Sequence, residues 1–284
     1  MSGLSLGRAF RQIGSLTALS RILGFVRDIA FATFLGAGAA ADAFLVALKL
    51  PNMFRRLSAE GAMTNAFLPN YAIVRETFGQ AAALKLAAEA QILLILGLSV
   101  LVLIAEIFMA DLILLLAPGF ANTPDRLAAA TDLARITMPY LPLISIVALW
   151  VAIANAHDHF KAGAAAPIIA NICFIGGAAM IPFVASHLNA LRAIPIAIAL
   201  VVAGFAQLFF LYWTLSRLHA IPALIWPRLS DAGRKMWRNF LPAAAGAGGM
   251  QLNLLIDLIL ASLLPIGAIS WLYYADRVAQ LPLG

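Results

Sequence analysis

The sequence predicts an all-α protein that crosses a membrane about eight times. Hydrophobic residues make up 63% of the 284 residues and charged residues 11%, and the mean hydropathy is +0.94. Soluble domains contain about 45–50% apolar and about 25% charged residues, so this composition is typical of a polytopic membrane protein. Because a spanning helix needs roughly 20 apolar residues, the apolar segments divide into eight expected spans. These are 13–35, 40–57, 86–109, 132–154, 163–184, 190–216, 238–262 and 266–284.

The first expected span carries three full charges near its centre, Arg21, Arg27 and Asp28. Each charge at a bilayer centre costs roughly 2.5–3.5 kcal/mol on insertion scales, so we expect these groups to line a water-filled cavity. At 100° per residue the polar positions fall within about a 120° arc. The opposite side is covered by the apolar residues Leu19, Ile22, Leu23, Val26, Ile29 and Ala30. The polar face consists of Thr17, Ser20, Arg21, Gly24, Arg27 and Asp28.

The second expected span repeats this pattern. Asp42, Lys49 and Arg56 are seven residues apart, which keeps them within about 40° of one another on a helix. The pattern predicts a second polar face on the cavity. The alternative for Lys49 and Arg56 is that their long side chains reach the membrane surface instead.

The last expected span has a third polar face. Its polar positions lie within about 60° of Arg277 and comprise Ser270, Tyr273, Tyr274, Arg277 and Gln280. Three helices with cationic faces can enclose one cationic cavity. Arginine binds phosphate and pyrophosphate through two parallel hydrogen bonds, so the predicted ligand is a phosphate or pyrophosphate. Asp28 and Asp42 are expected to pair with the arginines when no ligand is bound.

The seventh expected span places Asn253 and Asp257 on one stripe. Oxygen groups at this spacing are candidates for binding a monovalent cation or a proton. A static ion pair between Asp257 and an arginine of a neighbouring helix is equally compatible with the sequence. The sequence shows no pattern for a metal site, a cofactor or a nucleophile–base pair, so we expect no enzyme.

The basic residues are distributed unevenly along this topology. With the N-terminus in the cytoplasm, twelve Lys and Arg residues lie on the cytoplasmic side and three on the opposite side. Cytoplasmic loops of membrane proteins carry such an excess, so we expect a cytoplasmic N-terminus in a multi-pass bacterial inner-membrane protein. The positive net charge is then explained by topology and by contact with membrane lipids, without a nucleic-acid partner.

Three motifs resemble the bacterial lipid II flippase family (MurJ). They are 20–28 (SRILGFVRD), 41–62 (from ADAF through KLPNMFRRLSAEGA) and 271–278 (WLYYADRV). The resemblance implies a fourteen-helix, two-lobed exporter fold of the multidrug/oligosaccharidyl-lipid/polysaccharide exporter superfamily. It also implies transport of undecaprenyl-pyrophosphate-linked peptidoglycan precursor (lipid II) from the inner to the outer leaflet by alternating access, which serves cell wall biogenesis and cell shape.

The resemblance also implies roles for individual residues. Arg21, Arg27 and Arg277 match arginines that line the central cavity, and Asp42 and Arg55 match functionally important positions. The candidate substrate-binding residues are therefore Arg21, Arg27, Asp28, Asp42, Arg55, Arg56, Glu60 and Arg277. Residues 1–216 are expected to form the N-terminal lobe of six spans. Residues 217–284 are expected to begin the second lobe, so the chain is expected to be a fragment.

Other functions remain open from the sequence. An O-antigen-type flippase or a drug/cation antiporter of the same superfamily is the main alternative, although an arginine-lined cavity would repel an organic cation. A polytopic enzyme acting on polyprenyl phosphates would need loop carboxylates, and Glu60 and Glu76 are isolated in the sequence. A structural membrane scaffold is the remaining alternative.

Overall fold

The structure, a computed structural model, describes residues 3–55, 63–188, 191–226 and 230–280. All regular structure in these ranges is helical, which confirms the predicted all-α class. The helices are α1 (Gly3–Ala30, continued by a π-helical turn at Phe31–Leu35), α2 (Ala39–Arg55), α3 (Met63–Phe78), α4 (Gln80–Ile107), α5 (Met109–Leu116), α6 (Pro124–Thr137), α7 (Tyr140–Ala156), α8 (Lys161–Leu188), α9 (Ile194–Arg217), α10 (Asp231–Ser262) and α11 (Ala268–Gln280). A 3-10 turn at Pro118–Asn122 joins α5 to α6.

Within the described ranges, four stretches are long and apolar enough to cross a membrane. They are Gln80–Ile107, Pro124–Ala156, Lys161–Val184 and Ile194–Arg217, and they coincide with the third to sixth expected spans. The other four expected spans coincide with α1, α2, α10 and α11. Of these, α1 carries charges at its centre, and only 17 residues of α2 and 13 of α11 fall within the described ranges.

The predicted apolar face of α1 lies on the outside of the bundle. Leu19, Ile22, Val26 and Ile29 are between 41% and 61% exposed, as expected for side chains that contact lipid. Ala30, which the helical periodicity places on the same face, is instead buried at 8% exposure, where the helix continues into the π-helical turn.

Small residues allow the central helices to approach closely. A Cβ at Gly177 of α8 would lie 2.6 Å from the Ala199 Cβ and 2.8 Å from the Pro195 carbonyl oxygen of α9. Close approach of backbones at small residues is the usual way in which helices associate in lipid, where no hydrophobic effect drives them together. The helices α8 and α9 are therefore closely packed against each other, and α1 packs on α8. These three helices form one side of the bundle.

Residues 55–85 are too polar to span a membrane, and their sequence predicts an amphipathic helix at the membrane interface. The structure forms α3 within this stretch. Phe67 and Tyr71 of this helix are fully buried against the core, whereas Ile73 and Phe78 are exposed. The amphipathic helix is thus present, and its apolar face packs on protein, against α4, α7 and α10.

The helix α10 contacts the preceding helices near both of its ends, and α11 continues these contacts beyond its C-terminal end. The helix α10 packs on α3 and α4, Ser262 in its last turn lies on the 3-10 turn at Gly119, and α11 packs on α2. The contact at the last turn of α10 needs a glycine, because a Cβ at Gly119 would lie 1.9 Å from the Ser262 carbonyl oxygen. These contacts place the polar face of α11 opposite that of α1.

Candidate functional site

Arg27 donates hydrogen bonds to a carboxylate of its own helix and to an amide of the neighbouring helix α8. Its Nε and Nη2 donate to the Asp28 Oδ1 at 3.0 and 2.9 Å, and its Nη1 donates to the Asn171 Oδ1 of α8 at 3.0 Å. The guanidinium also lies 5.9 and 5.8 Å from the ring centres of Phe31 and Phe174. These contacts fix the orientation of the cation.

The polar face of α11 meets the same carboxylate. The Tyr273 hydroxyl donates to the Asp28 Oδ1 at 3.0 Å, and the Arg277 Nε lies 3.9 Å from the Asp28 Oδ2. Arg277 also lies 5.0 Å from the ring centre of Tyr273. Asp28 is only 7% exposed and so stands between two guanidinium groups from helices that are 250 residues apart in sequence. One carboxylate for two arginines leaves this cluster cationic.

Asn171 is a site residue that the sequence analysis did not identify. It is 5% exposed, accepts a hydrogen bond from Arg27 and donates its Nδ2 to the Ser20 carbonyl oxygen at 3.1 Å. Asn171 therefore positions Arg27 against α1. The only signal in the sequence is an amide within the apolar run of α8, which does not show the partner.

The Arg27–Arg277 cluster opens into a cavity of about 1030 Å³. Both charged and apolar side chains line this cavity, and they come from α1, α2, α7, α8, α9, α10 and α11. The polar lining residues are Arg27, Lys49, Asn52, Arg55, Asn171, Gln207, Asp257, Asp276, Arg277 and Gln280. The structure thus brings part of each predicted polar face to one cavity: Arg27 of α1, Lys49 of α2, and Arg277 and Gln280 of α11.

The remaining candidate residues occupy other places. Arg21 is exposed and is not among the residues that line the cavity, and Asn253 is exposed outside the lining as well. Arg56 and Glu60 lie outside the described residues.

Asp42 is fully buried in a separate network. Its Oδ2 accepts hydrogen bonds from the Arg126 Nη2 at 2.9 Å and the Gly267 backbone N–H at 2.7 Å. Its Oδ1 accepts from the Ser270 backbone N–H at 2.9 Å and from the Ser270 hydroxyl at 2.5 Å. A carboxylate on the free N–H groups at a helix start compensates the positive end of the helix dipole. Asp42 of α2 therefore caps the N-terminus of α11.

A bundle of membrane-spanning helices around a charged cavity defines a polytopic membrane protein with a transporter fold. Solved structures of transporters share this fold. The chain superposes with a TM-score of 0.73 on a structure described as lipid II flippase MurJ in an inward closed conformation, with 25% identity over 95% of this chain and 54% of that one. It superposes with a TM-score of 0.71 on a MATE structure at 13% identity, over 97% of this chain and 61% of that one, which shows the shared fold.

The family model for lipid II flippase MurJ matches residues 31–284, and the chain belongs to this family. A probable lipid II flippase MurJ of Rhizobium tropici is 36% identical over 99% of this chain and 52% of the relative. The lipid II flippase MurJ of Burkholderia cenocepacia is 32% identical over 98% of this chain and 54% of the relative. The chain thus spans about half the length of these curated relatives.

Proposed function

We propose that this protein is a lipid II flippase, which moves the undecaprenyl-pyrophosphate-linked peptidoglycan precursor from the inner to the outer leaflet without covalent chemistry. The observation that carries the proposal is the convergence of Arg27 and Arg277 on Asp28 at the cavity. Membership of the MurJ family and the names of the relatives support it.

The geometry suits a pyrophosphate. Asp28 partly neutralises the two guanidinium groups, so the cluster keeps net positive charge that an anionic ligand can satisfy. Planar guanidinium groups offer paired N–H donors that match phosphate oxygens, and Lys49 and Arg55 add cations to the same cavity. A drug/cation antiporter is disfavoured because the four cations that line the cavity outnumber its two lining carboxylates, Asp257 and Asp276.

Complementation tests this function. The native protein, expressed in a bacterium depleted of its own lipid II flippase, is expected to restore growth and cell shape. Failure to restore growth by a protein that is present in the inner membrane at normal amounts would contradict the proposal. Restored export of an O-antigen precursor in place of lipid II would favour the alternative flippase.

We further propose that residues 1–216 form one lobe, that residues 217–284 begin a second, and that the N-terminus is cytoplasmic. With the half-buried Cys173 replaced by alanine, a cysteine at the exposed position Asn122 is expected to react with a membrane-impermeant thiol reagent added to intact cells. A cysteine at the exposed position Lys161 is expected to be protected. The reverse labelling pattern would contradict the orientation.

We also propose that Asp257 binds the coupling cation or proton. Its side chain is exposed and lines the cavity. Charged side chains within membrane-spanning helices are costly and commonly mark ion or proton pathways. Asp257→Asn keeps the shape and removes the charge, so transport by this variant is expected to lose its dependence on an ion gradient. A lower melting temperature with unchanged gradient dependence would indicate a static ion pair instead.

A further inference from the structure

Glu89 is a buried carboxylate to which the proposed transport path assigns no role. It lies in α4, is 2% exposed and is not among the residues that line the cavity. Its Oε2 accepts hydrogen bonds from the Ser230 backbone N–H at 3.0 Å and from the Ser230 hydroxyl at 2.7 Å. The Ser230 hydroxyl oxygen in turn accepts from the Gly233 backbone N–H at 3.1 Å, which makes Ser230 the N-cap of α10. Glu89 therefore holds the N-terminus of α10, and we call this arrangement the Glu89 cap.

The Glu89 cap has a counterpart at the other end of α10. There, Asp42 of α2 caps the N-terminus of α11 through Gly267 and Ser270, and we call this arrangement the Asp42 cap. The 32 residues of α10 correspond to about 48 Å of helix, whereas the hydrocarbon core of a bilayer is about 30 Å thick. The two caps thus lie on opposite sides of the membrane, and each joins the α10–α11 pair to a helix of the first 216 residues through a buried carboxylate.

We propose that Glu89 is a positioning residue for transport, and that its cap keeps the cavity closed on the side where α10 begins. This inference rests on the proposed flippase function. A transporter that alternates access opens one side while the other stays closed, and the two caps are contacts that can release separately. A buried carboxylate stabilises its helix N-terminus only while the donors remain in reach. Each cap is bonded in this structure, and alternating access requires that each can also be released. Release of the Glu89 cap then opens the cavity on its own side, and release of the Asp42 cap opens the opposite side.

Distances between spin labels on the native protein test this inference. One pair of cysteines replaces the exposed Lys85 and Lys235 near the Glu89 cap, and a second pair replaces the exposed Leu115 and Leu264 near the Asp42 cap. Cys173 is replaced by alanine in both. Glu89→Ala is expected to raise the population of long Lys85–Lys235 distances about fivefold or more and to leave the second pair unchanged. Glu89→Gln keeps an acceptor oxygen without charge and is expected to give an intermediate shift.

Controls distinguish a specific role of Glu89 from a general destabilisation of the helix bundle. They also distinguish failure of this inference from failure of the proposed flippase function. Glu76→Ala removes an exposed carboxylate of α3 and is expected to change neither pair. If Glu89→Ala does not fold, Glu89→Gln and Ser230→Ala serve instead. Unchanged distances in a folded variant, or equal lengthening of both pairs, would overturn the inference. The distances do not depend on the ligand, so a wild-type protein that does not move lipid II would contradict the proposed function while the test of the Glu89 cap still stands.

Discussion

Arg27→Ala and Arg277→Ala are each expected to abolish lipid II transport while the protein accumulates at near-normal amounts. Both guanidinium groups reach the cavity and share Asp28, so the loss of either removes half of the cationic cluster that is proposed to bind the pyrophosphate. The measurement is growth of the flippase-depleted bacterium together with the amount of protein in the membrane. Arg→Lys at either position is expected to restore activity only in part, because an ammonium group lacks the paired donors of a guanidinium.

Arg234→Ala serves as the matched control, since Arg234 is an exposed arginine of α10 whose ion-pair partner is Asp231. Full activity of both the Arg27→Ala and the Arg277→Ala variants would contradict the account. Arg21→Ala is informative in a different way. Arg21 shares the predicted polar face but is exposed outside the cavity lining. A loss of transport at a normal amount of protein would therefore indicate that Arg21 acts in another conformation of the protein.

Asp42→Ala is expected to lower the stability of the protein by about 3–5 kcal/mol, because removal of one partner leaves a buried charge uncompensated. Arg126 is 5% exposed and is held by Asp42 at 2.9 Å. The same substitution also removes the acceptor for the N–H groups at the start of α11. The measurement is the free energy of unfolding, or the melting temperature, of the purified protein in detergent.

The control for this prediction is Asp132→Ala. Asp132 lies 4.0 Å from Arg135, and both side chains are about half exposed. An exposed pair of this kind contributes about 0–1 kcal/mol, so this variant is expected to melt close to the wild type. Equal melting temperatures for the Asp42→Ala and Asp132→Ala variants would show that the Asp42 cap contributes little to stability.

The sequence was sufficient to predict the fold class and a part of the cavity lining. The periodicity of α1 identified its lipid-facing side, because a helix turns by a fixed angle per residue and Ile22 and Ile29 are indeed exposed. The same periodicity predicted that Arg27 and Arg277 face one cavity, and both residues line it. The expected span 132–154 begins within α6 and continues through α7. The two helices meet at Met138 and Pro139, where proline lacks the N–H that a continuous helix requires.

Partners that are distant in sequence could not be predicted in this way. Asn171 bonds to Arg27 across 144 residues and Arg126 bonds to Asp42 across 84 residues. Helical periodicity predicts on which face of its own helix a residue lies, but it does not predict which residue of another helix that face contacts. Arg126 is one of the three cations that the sequence places on the side opposite the cytoplasm, yet it is buried in α6, where Asp42 neutralises it. Glu89 was not identified as a cap, since its partner Ser230 is 141 residues away.

The central claim is that the Arg27–Arg277 cluster binds the pyrophosphate of the lipid, and lipid binding by the purified native protein tests it most directly. The ligands to compare are lipid II, undecaprenyl pyrophosphate and undecaprenol, which share the prenyl chain and differ in the headgroup. We expect lipid II and undecaprenyl pyrophosphate to bind to the wild type, undecaprenol to bind weakly, and the preference to disappear in the Arg27→Ala and Arg277→Ala variants. Equal affinity of the wild type for all three lipids, or an unchanged preference in both variants, would contradict the account.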